Sequence, residues 1–379
     1  MTYVLKIRML KAGNGDCISI ATESDFILID GGTAQSFEDW KEKVIDKTKI
    51  INALIITHID NDHVNGVIKL LQHEKCPEIQ SILFNGAEQF FGKSNEDSAI
   101  SYSTDRKLQA LACELTVPEE NIRIGYSEGT SLSYSINTRK LKCNEIVSGE
   151  ALYRERLPNF NIGQIKLTTI GPEKSSLDAL IASWKYQLNS KLIKPKIINK
   201  IYYDTFDLYA SSLSQYPVNY PISNIESRTI ESLAGEPFLE DTSLTNMSSL
   251  CFLIEYGDKR VLCLGDCYPS TVISWLDTSK IQKLKVDAVK ISHHGSKNST
   301  SMELLDRLDC PIYMISTNGK SHGHPDLETL ARIAEANKSK TTRIIINYQL
   351  ENIPQWFAKE MQEKYSKVTI EIDDCEIEL

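Results

Sequence analysis

The fold of this chain is decided by one stretch of sequence, Ala53-Leu54-Ile55-Ile56-Thr57-His58-Ile59-Asp60-Asn61-Asp62-His63-Val64-Asn65-Gly66. Its first four residues are apolar, which is typical of a buried strand, and the polar residues that follow lie where that strand ends and the chain turns into a helix. Binding and catalytic sites favour such strand ends in α/β proteins. The stretch therefore predicts an α/β fold with a functional site at this turn.

Two imidazoles and two carboxylates lie close together in this turn, at His58, Asp60, Asp62 and His63. Imidazole suits zinc, iron and manganese, and carboxylates suit harder ions, so the cluster predicts a pair of adjacent metals of the kind used in hydrolysis. The alternative is a polar turn whose aspartates cap the next helix. Two histidines at this spacing argue against that alternative.

Apolar periodicity extends the same architecture along the chain. It predicts helices over 37–45 and 64–73, and strands over 4–9, 17–21 and 26–29. We expect one large α/β domain that carries insertions rather than several domains.

Three other apolar strands also end in residues that suit a metal site. The strand 26–29 leads into Asp30-Gly31-Gly32, the strand 260–264 into Gly265-Asp266, and the strand 286–291 into Ser292-His293-His294-Gly295-Ser296. Asp30 fits a residue that orients a metal ligand, with a plain turn residue as the alternative, and Asp266 fits a carboxylate that bridges two metals. Adjacent histidines can point in different directions, so one can bind metal while the other acts on substrate.

Two more segments place polar residues where they could reach this site. They are the glycine turn Lys11-Ala12-Gly13-Asn14-Gly15-Asp16 and the segment Ser321-His322-Gly323-His324-Pro325-Asp326. Pro325 suits the first turn of a helix through residue 334, which places His324 at the start of that helix, whereas His322 could equally face solvent. All histidines except His73 fall in three strand-end clusters, which favours one shared site over three unrelated turns.

The composition is that of a globular protein with a substantial core, since 41% of the 379 residues are hydrophobic and 25% are charged. The formal net charge of −9 disfavours a surface that binds nucleic acid along its whole face, although a local basic strip could still hold a phosphate backbone. The chain enters a strand directly after Met1 and contains no apolar run of membrane-spanning length. Nine cysteines without a CxxC pair suit a reducing compartment, so we expect a cytoplasmic protein with no membrane contact.

One local basic strip is a candidate contact for nucleic acid. Basic residues alternate with aromatic ones at Lys191, Lys194, Lys196, Lys200, Tyr202, Tyr203, Phe206 and Tyr209. Such a strip could grip a phosphate backbone and stack bases, but a solvated loop with partly buried tyrosines has the same composition, and Asp204 and Asp207 interrupt it.

In their order along the chain, these motifs resemble those of metallo-β-lactamase-fold hydrolases. The likeness rests on the Gly15-Asp16 loop, Asp30-Gly31-Gly32, the His58 to His63 cluster, Leu264-Gly265-Asp266, His293-His294-Gly295-Ser296 and Gly323-His324-Pro325. Within that family, the chain most resembles the subgroup typified by the hydrolase domain of the DNA-uptake protein ComEC and by phosphorylcholine esterases. The resemblance implies a single four-layer αββα sandwich over 1–379, with insertions at about 85–163 and 191–245 and with metals at one edge of the two sheets.

The resemblance also implies a role for each motif residue. His58 and Asp60 would hold the first metal, Asp62, His63 and His294 the second, and Asp266 would bridge them. His293 would contact or protonate the departing group, with His324 on the substrate side and Asp62 in the catalytic set. The supporting residues would be Asp30 and Asp16 behind the ligands, and Ser296, Lys297 and Asn246 beside the substrate.

Two departures from the common family pattern affect the first metal position. Asp60 stands where a histidine is usual, as it also does in the ComEC-like subgroup, and no histidine lies between His73 and His293, where the family often has a further ligand. The matching region, Asn246-Met247-Ser248-Ser249, offers only weaker ligands. We therefore expect two divalent ions, zinc or manganese, with magnesium also suited to the oxygen-rich first position.

These features predict a metal-dependent phosphodiesterase or nuclease that acts on DNA or RNA through a water activated by two metals. Two alternatives stay open. One is hydrolysis of a small phosphodiester, such as a nucleotide messenger or a phosphocholine-type ester, which suits an acidic chain. The other is a partner-dependent subunit of a larger assembly, in which the insertions contact a protein partner. Lactam hydrolysis is disfavoured because the ligand set is shifted towards oxygen.

Overall fold

The computed structural model describes residues 3–93, 102–115, 131–193, 200–213, 228–372 and 376–379. The strands in these ranges are β1 (Lys6–Met9), β2 (Ile18–Ala21), β3 (Phe26–Ile29), β4 (Ile50–Ile51), β5 (Ala53–Ile55), β6 (Glu78–Ile79), β7 (Ile82–Leu83), β8 (Asn159–Ile162), β9 (Ile165–Gly171), β10 (Cys251–Tyr256), β11 (Lys259–Cys263), β12 (Leu284–Lys285), β13 (Ala288–Lys290), β14 (Leu308–Asp309), β15 (Ile312–Ile315), β16 (Thr342–Ile346), β17 (Val368–Ile372) and β18 (Glu376–Glu378).

The helices are α1 (Phe37–Ile45), α2 (Asn61–Gln72), α3 (Ala87–Phe91), α4 (Tyr102–Leu115), α5 (Leu132–Thr138), α6 (Lys174–Ser190), α7 (Lys200–Ser212), α8 (Ile230–Ala234), α9 (Leu244–Met247), α10 (Pro269–Thr278), α11 (Met302–Asp306), α12 (Leu327–Ala336) and α13 (Gln355–Lys364). Short 3₁₀ turns occur at Glu145–Val147 and His293–Gly295.

Most strands belong to two large sheets. One sheet has six strands in the order β18-β1-β2-β3-β5-β7, and the other has eight in the order β17-β16-β15-β13-β11-β10-β9-β8. Strands β3, β5 and β7 run parallel in the first sheet, and β11, β13, β15, β16 and β17 run parallel in the second. Parallel strands need their faces covered, which matches the continuous apolar runs in these segments.

Three apolar cores separate four layers. The central core lies between the sheets, where Ile27 and Ile55 of one sheet join Phe252 and Val261 of the other. A second core packs α1, α2 and α4 to α7 on the outer face of the six-stranded sheet, and a third packs α8 and α10 to α13 on the eight-stranded sheet. This order of helices, sheet, sheet and helices confirms the predicted αββα sandwich.

The carboxyl ends of the parallel strands place the polar motifs at one edge. In the six-stranded sheet β3 leads to Asp30 and β5 to His58, and in the eight-stranded sheet β11 leads to Asp266 and β13 to His294. A backbone hydrogen bond from Leu250 to Thr57 joins the two sheets at this edge. Segments far apart in the sequence therefore meet at one rim of the sandwich.

Two helix boundaries differ from the predicted ones. Helix α2 begins at Asn61 rather than at residue 64, with Asp60 in the extended conformation just before it. Acidic residues are favourable in the first turn of a helix, so the polar cluster that resembles a loop is partly helical. Helix α12 begins at Leu327, so Pro325 precedes the helix instead of lying in its first turn.

The prediction that the basic and aromatic strip could stack bases is wrong, because the aromatic rings of α7 are buried. Tyr202, Phe206 and Tyr209 follow helical spacing, and their rings lie 5.7, 5.7 and 5.2 Å from the ring of Trp184. Lys200 is paired with Asp204 one turn along the helix. Among the predicted basic residues, Lys194 and Lys196 lie outside the described residues.

No helix in the described ranges has both the length and the apolar character needed to cross a membrane. The described cysteines are free thiols, and most of them are buried: Cys17, Cys251, Cys263, Cys267 and Cys310. Cys375 lies outside the described residues.

Candidate metal centre

The Asp266 carboxylate lies at the centre of a cluster of imidazoles. Its Oδ2 atom is 3.7 Å from Nε2 of His58, 3.6 Å from Nε2 of His63 and 3.8 Å from Nε2 of His294. The backbone N–H of Asp266 donates to the Ser249 hydroxyl at 3.1 Å, which fixes the loop after β11. One carboxylate therefore faces ligands from both sheets, as a bridging group would.

The first group of candidate ligands surrounds His58. Its Nε2 atom lies 3.3 Å from Oδ2 of Asp60, and both side chains are buried. Nε2 of His293 also faces this region, 4.0 Å from Oδ2 of Asp266. His293 thus adds a fourth imidazole next to the Asp266 carboxylate, which faces both groups.

The second group surrounds Asp62, which the first turn of α2 directs towards the eight-stranded sheet. Its Oδ2 atom is 3.4 Å from Nε2 of His294, and its Oδ1 atom is 3.9 Å from Nε2 of His63. The side-chain amide of Asn14 donates to Asp62 Oδ2 at 2.9 Å. Candidate ligand atoms of Asp62, His63 and His294 all lie within 4.8 Å of one another, as do those of His58, His63 and Asp266.

The free atoms of this cluster fit metal ions. In the described part of the chain, five buried atoms of its candidate ligands have no hydrogen-bond partner: Nε2 of His58, His63 and His294, and Oδ1 of Asp60 and Asp266. Leaving a buried polar atom unpaired costs about 1–3 kcal/mol, so five in one place indicate a missing cationic partner. Ligand atoms bound at ~2.0–2.2 Å to one ion lie ~3–3.5 Å apart, close to the separations between these groups.

The charges of the cluster point to two divalent ions. Five buried or half-buried carboxylates surround it, namely those of Asp16, Asp30, Asp60, Asp62 and Asp266. The ammonium of Lys290 balances one of them. Two divalent cations would neutralise the remaining four, so the donor set fits a pair of ions by charge as well as by atom type.

Three histidines have their second ring nitrogen held by the protein. His63 Nδ1 is 2.8 Å from Asp30 Oδ2, and His294 Nδ1 is 3.0 Å from the carbonyl oxygen of Ser316. His58 Nδ1 is 3.0 Å from the Thr57 hydroxyl, which itself donates to Asp30 Oδ2 at 2.8 Å. A carboxylate or carbonyl at Nδ1 fixes the proton there and leaves Nε2 free to bind metal.

The carboxylates of the cluster favour positive charge on its histidines. Burial alone would lower the pKa of His63, but Asp266 and Asp30 outweigh it and raise that pKa well above its ordinary value. Burial would also lower the pKa of His294, but Asp266 and Asp16 outweigh burial and raise that pKa to about 10. Burial would raise the pKa of Asp266, yet the facing histidines hold it well below its usual range.

The rings of the adjacent histidines 293 and 294 are steeply inclined to each other, but their Nε2 atoms face the same oxygen, Oδ2 of Asp266, at 4.0 and 3.8 Å. The division into one metal ligand and one substrate residue therefore stays a prediction. Both histidines have left-handed backbones, with φ of 48° and 54°, and their rings are inclined by 73°. This conformation is unfavourable for residues with a Cβ atom, and clusters of such residues are typical of functional sites. His293 Nδ1 lies 3.4 Å from Oδ2 of Asp241, on the side away from Asp266.

The remaining predicted site residues surround this pair of histidines. The ring of His324 lies 5.4 Å from that of His293, and its Nδ1 is 3.4 Å from Oδ2 of Asp326. His322 is exposed. Asn246 is buried, donates to Asp241 Oδ2 at 2.6 Å and lies 3.4 Å from His293 Nδ1.

Two predicted substrate residues, Ser296 and Lys297, contact other protein groups. The Ser296 side chain is buried, and its hydroxyl accepts a hydrogen bond from the backbone of Asn298 at 3.3 Å. The Lys297 ammonium lies 3.1 Å from Oε1 of Glu328.

Sequence reasoning missed four residues of the site. Lys290 lies in an apolar strand, and a charge in such a run is a signal of a buried pair. Thr57 and Asn14 stand within quoted motifs, but their contacts to Asp30 and Asp62 depend on tertiary structure. Asp241 lies in a segment without periodicity, so the sequence offers no signal for it.

Comparison with known proteins identifies the fold. Residues 10–82 match the family model of the metallo-beta-lactamase superfamily. No curated protein matches the chain in sequence. Among solved structures, the metallo-beta-lactamase fold protein YhfI from Bacillus subtilis is 9% identical over 100% of both chains, with a TM-score of 0.38.

Two further solved structures match the chain with similar sequence identity, coverage and TM-score. A diphosphatase from the PhnP family is 10% identical over 99% of this chain and 97% of its own, with a TM-score of 0.40. The short form of human tRNase Z is 10% identical over 98% of both chains, with a TM-score of 0.36. The matched segment carries β3, β5 and the His58 to His63 cluster, and with the four layers described above it establishes that this chain has the metallo-β-lactamase fold.

Proposed function

We propose that the protein is a metal-dependent hydrolase of phosphodiesters that uses two divalent ions. The observation that supports this most directly is the set of unpartnered imidazole and carboxylate atoms around Asp266. His58, Asp60 and Asp266 would hold the first ion, and Asp62, His63, His294 and Asp266 the second. Two bound ions would activate water and neutralise charge on the phosphoryl oxygens.

The ligand composition favours a phosphoryl substrate over a lactam. Three of the proposed ligands are carboxylates, and oxygen ligands suit manganese and magnesium as well as zinc. Membership of the ComEC-like subgroup is also part of this proposal, and the aspartate at position 60 supports it.

The chain's own residues would position the substrate and manage the proton of the leaving oxygen. His324 and His293 are the candidates for the proton donor, because their rings lie 5.4 Å apart beside the cluster. The carboxylates of Asp326 and Asp241 lie 3.4 Å from the Nδ1 atoms of His324 and His293, where they would favour a proton on these rings. General acid catalysis of this kind typically contributes about 10²–10⁴-fold.

His293 has two candidate roles, which a single variant separates. Its Nε2 atom faces Asp266, so it is placed to complete the first ion position as well as to serve the leaving group. His293→Ala that loses one bound ion supports the ligand role. The same variant with both ions kept and turnover lost supports the leaving-group role.

DNA and RNA are the first substrate class to test, because the chain resembles the ComEC-like subgroup, and small phosphodiesters are the second. Two observations, however, favour a small substrate: the rings of α7 are buried, and the net charge of −9 is unsuited to holding a long polyanion. Salt distinguishes the two classes. Binding of a polymer weakens steeply as salt rises, because each phosphate contact releases a counterion, whereas binding of a small diester changes little.

Elemental analysis combined with a substrate screen tests the proposal. The purified protein is loaded with Mn²⁺ or Zn²⁺ and assayed on single-stranded DNA, RNA and bis(p-nitrophenyl) phosphate. We expect two ions per chain and turnover that a chelator abolishes. Fewer than two ions would contradict the two-ion site. Two ions without turnover would contradict the phosphodiesterase and favour a subunit that requires a protein partner, to which the segments at about 85–163 and 191–245 are candidate contacts.

A further inference from the structure

Lys290 is fully buried at the end of β13, directly before the loop that carries the two adjacent histidines. Its ammonium forms an ion pair with Oδ2 of Asp16. Asp16 comes from the glycine loop after β1, so the pair joins the eight-stranded sheet to the six-stranded one. Both side chains are inaccessible to solvent.

The other oxygen of the same carboxylate faces a proposed metal ligand. Asp16 Oδ1 is 3.4 Å from Nδ1 of His294, and that nitrogen also lies 3.0 Å from the carbonyl oxygen of Ser316. The Ser316 carbonyl oxygen accepts the hydrogen bond from Nδ1, and the negative charge of Asp16 beside it favours a proton on that nitrogen. Nε2 of His294 therefore faces Asp62 and Asp266, and it is the nitrogen that would bind an ion.

The backbone around Asp16 is fixed independently of Lys290. The carbonyl oxygen of Asp16 accepts a hydrogen bond from Gly32 N–H at 2.7 Å, and the Ser316 hydroxyl donates to the carbonyl oxygen of Gly15 at 2.8 Å. The ion pair is therefore not needed to hold the loop in place. What it restrains is the rotation of the Asp16 carboxylate.

We propose that Lys290 is a positioning residue that acts through Asp16 to orient His294 and so sets the affinity of the second ion position. The inference rests on the proposed two-ion function and deepens it. A buried ion pair is weak evidence for a role in stability, because an apolar pair of similar volume often stabilises as well or better. A role in holding a metal ligand accounts for the charge at this place.

Three variants and a control test the inference. Lys290→Met removes the charge at similar length, Asp16→Asn removes the partner charge at the same shape, and the double variant removes both. Lys285→Met changes an exposed lysine in the preceding strand and serves as the matched control. The measurements are Zn²⁺ affinity for each of the two positions by chelator competition, the absorption spectrum of the Co²⁺-loaded protein, and the thermal midpoint.

We expect Lys290→Met and Asp16→Asn to bind the second ion about 10–100-fold more weakly, with the first position unchanged and an altered Co²⁺ spectrum. We expect the double variant to regain thermal stability without regaining affinity for the second ion. Lys285→Met should match the wild type.

Unchanged affinity in both single variants would overturn the inference. So would a double variant that recovers affinity together with stability, since the pair would then be only structural. Should Lys290→Met fail to fold, Asp16→Asn and the double variant decide the question in the same way. A wild-type protein that binds fewer than two ions refutes the proposed function itself, whereas two ions bound equally well by wild type and variants refute only the role of Lys290.

Discussion

Nδ1 of His63 lies 2.8 Å from Oδ2 of Asp30, and both side chains are completely buried. The same carboxylate accepts the backbone N–H and the hydroxyl of Thr57, each at 2.8 Å. Asp30 thus ties the residue before the first histidine of the cluster to the last histidine, and it holds both on the six-stranded sheet.

Asp30→Asn should therefore weaken metal binding without unfolding the protein. The amide keeps the shape of the side chain but removes the charge that supports the His63 ring, and losses of about 10–100-fold in affinity are typical for such partners. Chelator competition measures the change. Asp25→Asn, at the opposite end of β3, is the matched control. Equal affinity in the two variants would contradict the role of Asp30.

Two ligand variants should give different metal contents. Asp266→Ala removes the carboxylate that faces both groups and should lose both ions, whereas Asp62→Ala should lose only the second. Both should lower turnover by at least about 100-fold, because each bound ion contributes several kcal/mol to the transition state. Elemental analysis, turnover and circular dichroism report the outcome, with Asp258→Ala in the exposed turn before β11 as control. Turnover retained in a folded Asp62→Ala or Asp266→Ala protein would refute the two-ion scheme.

Two glycines allow the backbone to approach closely around the cluster. A Cβ atom on Gly66 would lie 1.8 Å from the carbonyl oxygen of Gly31, and one on Gly15 would lie 1.7 Å from that of Asp62. Either substitution by alanine should lower the free energy of unfolding by about 1–3 kcal/mol, as overpacking does, and Gly15→Ala should also displace Asp62. Denaturant unfolding measures the first effect and metal affinity the second.

Gly235→Ala is the control for these two variants. A Cβ atom there comes no closer than 3.4 Å to another residue, and the backbone is right-handed helical. We expect a change within about 0.5 kcal/mol. A loss at Gly235 as large as at Gly66 would show that close approach is not the cause.

Asp207, which is not among the proposed ligands, should make stability depend on pH. Burial raises the pKa of this carboxyl group well above its usual range, and the neighbouring Asp204 adds to the shift. The folded protein therefore keeps a proton that the unfolded chain releases above a pH of about 4, so this group lowers stability as the pH rises.

Asp207→Asn should be more stable than the wild type at pH 7 and equal to it below about pH 4. Denaturant unfolding at a series of pH values measures the difference. Asp178→Asn on the exposed side of α6 should leave the profile unchanged. A wild-type profile identical to that of Asp207→Asn would contradict the raised pKa of the buried carboxyl group.

The sequence predicts the parts of the structure that depend on local patterns. Helix α1 occupies the predicted residues, and the strand ends that carry Asp30, His58, Asp266 and His294 meet at one edge, because parallel strands deliver their carboxyl ends to the same side. The resemblance to a family supplied the order of the layers.

The features that escaped prediction depend on contacts between distant residues. The partner of Lys290 lies 274 positions away in the chain, so no local pattern identifies Asp16 as that partner. The aromatic residues of α7 read as a polar strip because charged residues separate them, yet at helical spacing they share one buried face. Asp241 belongs to the site only because the folded chain places it beside the ring of His293.

The wide separation of the ligands along the chain has a consequence for biosynthesis. The histidines of α2 and the preceding turn leave the ribosome first, and about 230 further residues must be translated before His294 emerges, which takes roughly 10–50 s at ~5–20 residues per second. For most of that interval the nascent chain carries only the ligands of the six-stranded sheet, without Asp266 or the Lys290 that offsets Asp16. The proposed second ion position therefore cannot be completed before residue 294 is translated, and a polypeptide released before β13 would lack His294.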